Sequence, residues 1–263
     1  MIKKDLLSNL KSFIIFMSVL IGMFLLVYLI YPFIITDEVM ASMEEMMKMF
    51  PEEMLKAFNM DLSSIDTAYG WLKSEGFTYV LLIAGIYASI LGANILLKEE
   101  YEKTIEYLSY LPIKRSKIVT NKIITSLIYI VSMVVIFTIF NYIGLTLSGD
   151  FNQKEFFLLS VSPLFVAIPL FFLNLFISTL AQRNKRIIGF SLGLVFIFYL
   201  LSVFSGISEN AEPLKYFTLY TLADTRNIIE SGKINIIYVV VSFGISALLA
   251  LFTYLTYNKK ELI

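Results

Sequence analysis

The sequence predicts an all-α, polytopic membrane protein: six transmembrane helices, both termini cytoplasmic, and an amphipathic helix in the link between spans two and three. Three observations predict it. The 263 residues are 58% hydrophobic and only 16% charged, whereas an average soluble domain is roughly 45–50% apolar and about 25% charged. Six stretches free of charge are each long enough to cross a hydrocarbon core as a helix, which takes about 20 residues. Lys and Arg are also unevenly divided between the two ends of those stretches, 14 on the side of the termini against 7 on the other.

The stretches run over 13–35, 77–97, 123–147, 156–180, 187–207 and 234–257, and every formal charge lies outside them. A charge at mid-bilayer costs about 2.5–3.5 kcal/mol on insertion scales, so this exclusion is the expected signature of spans. None alternates as a barrel strand would. The stretch 13–35 is too long for a signal-peptide core and is read as a retained first span. The excess of basic residues places both termini in the cytoplasm, and the whole of 1–263 reads as one transmembrane domain. The 21 basic and 21 acidic residues cancel overall. Divided by side, they leave a net +8 on the termini side and −8 on the other. No basic excess remains for nucleic acid, so the partner implied by composition is the lipid bilayer.

Four segments lie outside the spans. In Met1 to Ser12, Ile2, Leu6, Leu10 and Phe13 recur at helical spacing among charges, which predicts a short amphipathic helix on the inner membrane face or a simple basic flank. The outer loop 36–76 holds 7 of the 11 Met residues. Its Val39, Met43, Met46, Met47, Phe50 and Met54 fall on one helical face interrupted by Pro51, predicting two short helices. Thioethers could ligate Cu(I), but an amphipathic cap in which Met fills gaps is the plainer reading. The link 98–121 is longer than a hairpin needs and amphipathic. Tyr101, Ile105 and Leu108 share a face, Pro112 ends the helix, and Ser116 is expected to cap span three. Such an element suggests a docking surface for a cytoplasmic partner. The outer segment 208–233 carries apolar patches and predicts short helices against the membrane surface.

The chemistry of catalysis is mostly excluded. With neither Cys nor His in the sequence, thiol chemistry, imidazole acid–base work and the commonest metal ligand are absent. Gly189-Phe190-Ser191-Leu192-Gly193 matches G-x-S-x-G, yet it lies inside span five with no base to activate Ser191. The same Gly189 and Gly193 read as G-x-x-x-G, a face that lets helices approach. Ala84, Ala88 and Gly92 make a similar row on span two. Pro163 and Pro169 should kink span four and free carbonyls. Asn94, Asn141 and Asn174 are expected to hydrogen-bond between helices. No span carries an acid or base to couple ion flow. No phosphate-cradling G-x-x-x-x-G-K-[ST] exists either: Gly232-Lys233 is followed by Ile234. No cofactor or metal is expected on this chain.

At the link the sequence resembles a family. Glu99-Glu100, Thr104-Ile105-Glu106-Tyr107-Leu108, Leu111-Pro112-Ile113, Arg115, Ile118 and Lys122 look like the segment between spans two and three of bacterial ABC transporter permeases of the type-2, exporter-like class. Lys103 stands where that family usually has Gly. The run Pro51 to Phe58 resembles a recurrent outer-loop piece of the same permeases. The resemblance implies a permease subunit in the bacterial plasma membrane that pairs with a second permease, identical or related. Two cytoplasmic ATP-binding subunits would carry the ATP and Mg. It also implies that the link is the ATPase-coupling element, with Glu99, Glu100, Thr104, Glu106, Leu111, Pro112 and Arg115 at or near the contact. The expected activity is ATP-driven export of a hydrophobic or amphipathic substrate. Two other readings compete: a non-transporting receptor or immunity component acting through the Met-rich outer loop, and a metal-handling channel or intramembrane enzyme.

Overall fold

The computed structural model describes residues 2–34, 36–51, 55, 67–101, 113–181, 186–207 and 209–260. Among them it holds helices and no strand. Six helices are long and apolar enough to cross a membrane. Span one is Ile2–Ile34 and span two Ala68–Ile95, the latter with one π turn over Leu72–Gly76. Span three is Arg115–Ser148, span four Gln153–Leu180, span five Arg186–Ser205 and span six Ile236–Lys259. Each contains most of the stretch expected for it. The helices run on beyond the apolar stretches where polar residues continue the turn.

Spans two and four form the centre of the bundle and are the most buried, while spans one, five and six are the least. The exposed side chains of the outer three, such as Leu26, Ile197 and Leu251, are large and apolar. In a bilayer they face lipid, where they lose nothing by exposure. Close packing at the centre follows from small residues: Ala84 and Ala88 of span two are buried, and Gly92 lies against the backbone of span four at Phe171 and Leu175. Gly189 and Gly193 sit differently. They are on the exposed side of span five, and nothing in the described chain lies within 4 Å of where a Cβ would stand.

The prolines of span four do free carbonyls, and the bundle supplies donors for both. Pro163 leaves the Leu159 carbonyl without its N–H, and the Ser162 hydroxyl donates to it at 2.7 Å. Pro169 leaves the Phe165 carbonyl, which accepts from Ser242 of span six at 2.8 Å. Unsatisfied carbonyls are costly in hydrocarbon, so these hydroxyls let a proline-bearing helix stay continuous. Asn141 of span three accepts from the Tyr28 hydroxyl of span one at 2.8 Å, the expected bond between helices. Asn174 differs from expectation: its amide donates within its own helix, to Leu170.

Two further expectations are corrected. The N-terminal residues make no separate surface helix but the first turns of span one, which is unbroken from Ile2. No Gly or Pro interrupts Lys11-Ser12-Phe13, and one face of these turns points into the bundle, where Asp5 and Asn9 are buried, while Lys3, Lys4 and Lys11 are exposed. Ser116 does not cap span three: the helix begins one residue earlier, with extended Lys114 at the cap position and no side-chain cap bond. In the outer loop one helix covers Asp37–Met47 with Met47 buried, while Met46 and Met49 are exposed. Past Pro51 the Leu55 N–H donates to the Pro51 carbonyl, one helical turn; the remainder of that expected helix lies outside the described residues.

The segment after span five forms two 3-10 stretches, Glu209–Phe217 and Tyr220–Leu222, then a helix, Thr225–Ser231. Short helical pieces are what its patches of apolar residues predict.

Candidate functional site

The ends of spans one, two, three and six that lie nearest the chain termini converge on a buried charged cluster. Span two ends at Ile95, and after a turn a short helix Lys98–Tyr101 carries Glu99 and Glu100. Both carboxylates turn inward, at 8% and 5% exposure. Lys122, in the second turn of span three, is 1% exposed. Its ammonium lies 2.9 Å from Asp5 Oδ1 of span one and pairs at close range with Glu99. Glu100 pairs at 2.8 Å with Lys260, just past the end of span six.

Arg115 closes the other side. Its guanidinium donates to the carbonyls of Asn258 at 3.0 Å and Lys260 at 2.7 Å, the unsatisfied end of the span-six helix. Cations at a helix C-terminus also meet its negative dipole end. Lys98 donates to the Ser8 carbonyl at 2.8 Å, and the Tyr129 hydroxyl donates to the Leu6 carbonyl. Asn9 donates to the Asp5 carbonyl at 2.8 Å, holding the turn from which Asp5 reaches Lys122.

Three acids and three bases thus meet where four helices end: Asp5, Glu99 and Glu100 with Arg115, Lys122 and Lys260. Carboxylates so deeply buried are tolerated only when paired. Desolvation of both partners offsets most of the attraction in such pairs, so they add little net stability, while removing one partner is costly. The described residues on either side of 102–112 are thus held to the bundle, Glu99 and Glu100 by their ion pairs and Arg115 by its bonds to the end of span six.

Of the residues the sequence singles out for coupling, Glu99, Glu100 and Arg115 lie in this cluster and bond to their own chain. Thr104, Glu106, Leu111 and Pro112 lie outside the described residues. Ala84, Ala88 and Gly92 are in the span-two core, away from the cluster. Sequence reasoning assigned no site role to Asp5, Lys122 or Lys260. One signal was present: Lys122 directly precedes the apolar run of span three and closes the resemblance at the link. Asp5, the lone acid among Lys3, Lys4 and Lys11, was the other. Among the described residues, no group of His, Cys, Asp and Glu could hold a metal.

Comparison with known proteins adds one match. A family model described as an ABC-2 family transporter protein matches residues 2–262. No curated protein and no solved structure matches the chain.

Proposed function

The chain belongs to the ABC-2 transporter family, a membrane translocation component and not itself the ATPase, and from that premise we propose that it is an export permease driven by a separate ATP-binding subunit. Two copies of that subunit, holding ATP and Mg, would work with two permeases, this chain and a second copy or a relative. The termini side then faces the cytoplasm of a bacterial cell, and the substrate is hydrophobic or amphipathic.

One observation supports the coupling role of the link: the described residues that flank 102–112 are tied to the bundle by buried ion pairs and by Arg115. A docking element transmits force only if its roots are stiff. Glu99, Glu100 and Arg115 supply that stiffness from within, next to the contact, while Thr104, Glu106, Leu111 and Pro112 carry the part that meets the ATPase. Closure of the ATP-binding subunits then moves four helix ends as one body, a shear or hinge transition of the familiar kind.

The test is reconstitution with a cognate ATP-binding subunit. The expected result is co-purification and lipid-dependent stimulation of ATP hydrolysis, both weakened by Glu106→Ala with membrane insertion unchanged. A chain that neither recruits the subunit nor stimulates its turnover would sink the reading. Loss of activity on deleting 40–60 with ATPase turnover unaffected would favour the receptor alternative.

A further inference from the structure

At the end of the bundle opposite the termini, two cavities open side by side. The first, about 540 Å³, lies between spans two and five and the segment 209–231. The second, about 460 Å³, runs along spans four, five and six. They share Lys215, Thr221 and Tyr238 as a common wall. Their chemistry is opposite. The first is lined by charge and tyrosine, and the second by Leu173, Phe198, Val241, Ile245 and Leu249.

The charges of the polar cavity do not cancel. Lys215 is paired with Glu212 at 2.5 Å and Arg226 with Glu230 at 3.0 Å. That leaves Asp224, whose carboxylate accepts, among the described residues, the Asn227 backbone N–H alone, at 3.2 Å. Tyr199, Tyr220 and Tyr238 line the same space. Tyr220 is 5% exposed; its hydroxyl is turned away from the cavity against Gly85 of span two, while its ring packs edge-on against Tyr199 at 5.7 Å. Carboxylate plus tyrosine faces is the combination that binds ammonium groups.

We propose that the two cavities form one site for an amphiphile with a cationic headgroup: the ammonium beside Asp224 and the tyrosines, the hydrocarbon tail in the apolar groove. The pairing commits to this class. An anionic head would face Asp224 with both nearby cations already engaged, and a headgroup without a tail would leave the groove unused. As a transported substrate this amphiphile rests on the permease reading; as a ligand it rests on the cavities alone.

Asp224→Asn is the informative variant. Asn caps a helix as well as Asp does, so the Thr225–Ser231 helix keeps its start. Asn also tolerates the left-handed backbone of residue 224, φ 33°. Only the charge is lost. The experiment measures saturable binding of labelled dodecyltrimethylammonium to the chain alone in nanodiscs, with empty discs subtracted to remove partitioning. The expected result is a saturable component that dodecyl sulfate and dodecyl maltoside do not displace. Asp224→Asn should weaken it roughly tenfold or more, as expected for losing one charged contact, and Ile245→Asn should weaken it through the groove. Wild-type binding by Asp224→Asn, equal displacement by dodecyl sulfate, or no saturable component would overturn the proposal. No ATP-binding subunit is present, so a negative result here is separate from failure of ATPase stimulation.

Discussion

Replacing Lys122 by Met tests the buried cluster most directly. The side chain is 1% exposed and serves two carboxylates, Asp5 and Glu99, that are 3% and 8% exposed. Met matches the length of the stem but brings no charge, so both acids are left buried around the site the ammonium occupied. Asp5 is the worse placed, since its Oδ2 already has no hydrogen-bond partner. Removing one member of a buried pair costs about 3–5 kcal/mol because the uncompensated charge remains. With two acids orphaned, the upper part of that range is expected. The assay is reversible unfolding of the purified chain by SDS in mixed micelles, read by helical signal. The triple variant Asp5→Asn, Glu99→Gln, Lys122→Met removes all three charges and should recover most of the loss, since an apolar replacement of a buried ionic group is often neutral. A single-variant cost below about 1 kcal/mol, or a triple variant no better than the single, would refute the burial argument.

Other substitutions separate the remaining contacts. Gly92→Ala should cost about 1–3 kcal/mol by overpacking, because its Cβ would press on the Phe171 carbonyl and Leu175 nitrogen of span four. Gly193→Ala meets nothing within the described chain and should stabilise the isolated subunit by roughly 0.5–1 kcal/mol through helix propensity; both are read by the same unfolding assay, and a destabilised Gly193→Ala would count against the open face. Ser242→Ala strips the Phe165 carbonyl of the donor that stands in for Pro169, with an expected cost near the ~0.6 kcal/mol average for membrane hydrogen bonds. In a double-mutant cycle that cost should shrink when Pro169 is also Ala, and an unchanged cost would break the link between them. Burial raises the Asp224 carboxyl above its usual value. An acid so shifted binds its proton more tightly folded than unfolded, so its contribution to stability falls as pH rises from its unfolded value through its folded one. Asp224→Asn should flatten that limb of the stability–pH curve, and an unaltered slope would contradict it.

The spans were legible because insertion is decided by local composition: about 20 apolar residues without charge can be read in one window. Their ends were less so. Ile2 to Ser12 looks like a flank, since its charges argue against a membrane interior, and only the partner Lys122, 117 residues away, shows why Asp5 can be buried. The same holds for the donor to the Phe165 carbonyl, which comes from 77 residues further on. Asn174 illustrates the converse: a polar residue in a span predicts a bond, but a carbonyl in its own helix was nearer than a neighbouring helix. The inward turn of Glu99 and Glu100 is invisible to a motif, because a pattern of residue types carries no direction. The unpaired Asp224 was also hidden, being defined by which neighbouring cations other acids had already taken.

The Glu100–Lys260 pair has a consequence for biogenesis. Its partners are 160 residues apart, and a chain made from its N-terminus exposes Glu100 long before Lys260 exists. Until span six is in place, Glu100 lacks its ion-pair partner and Arg115 lacks the helix end it caps, so the cluster closes only when the last span docks.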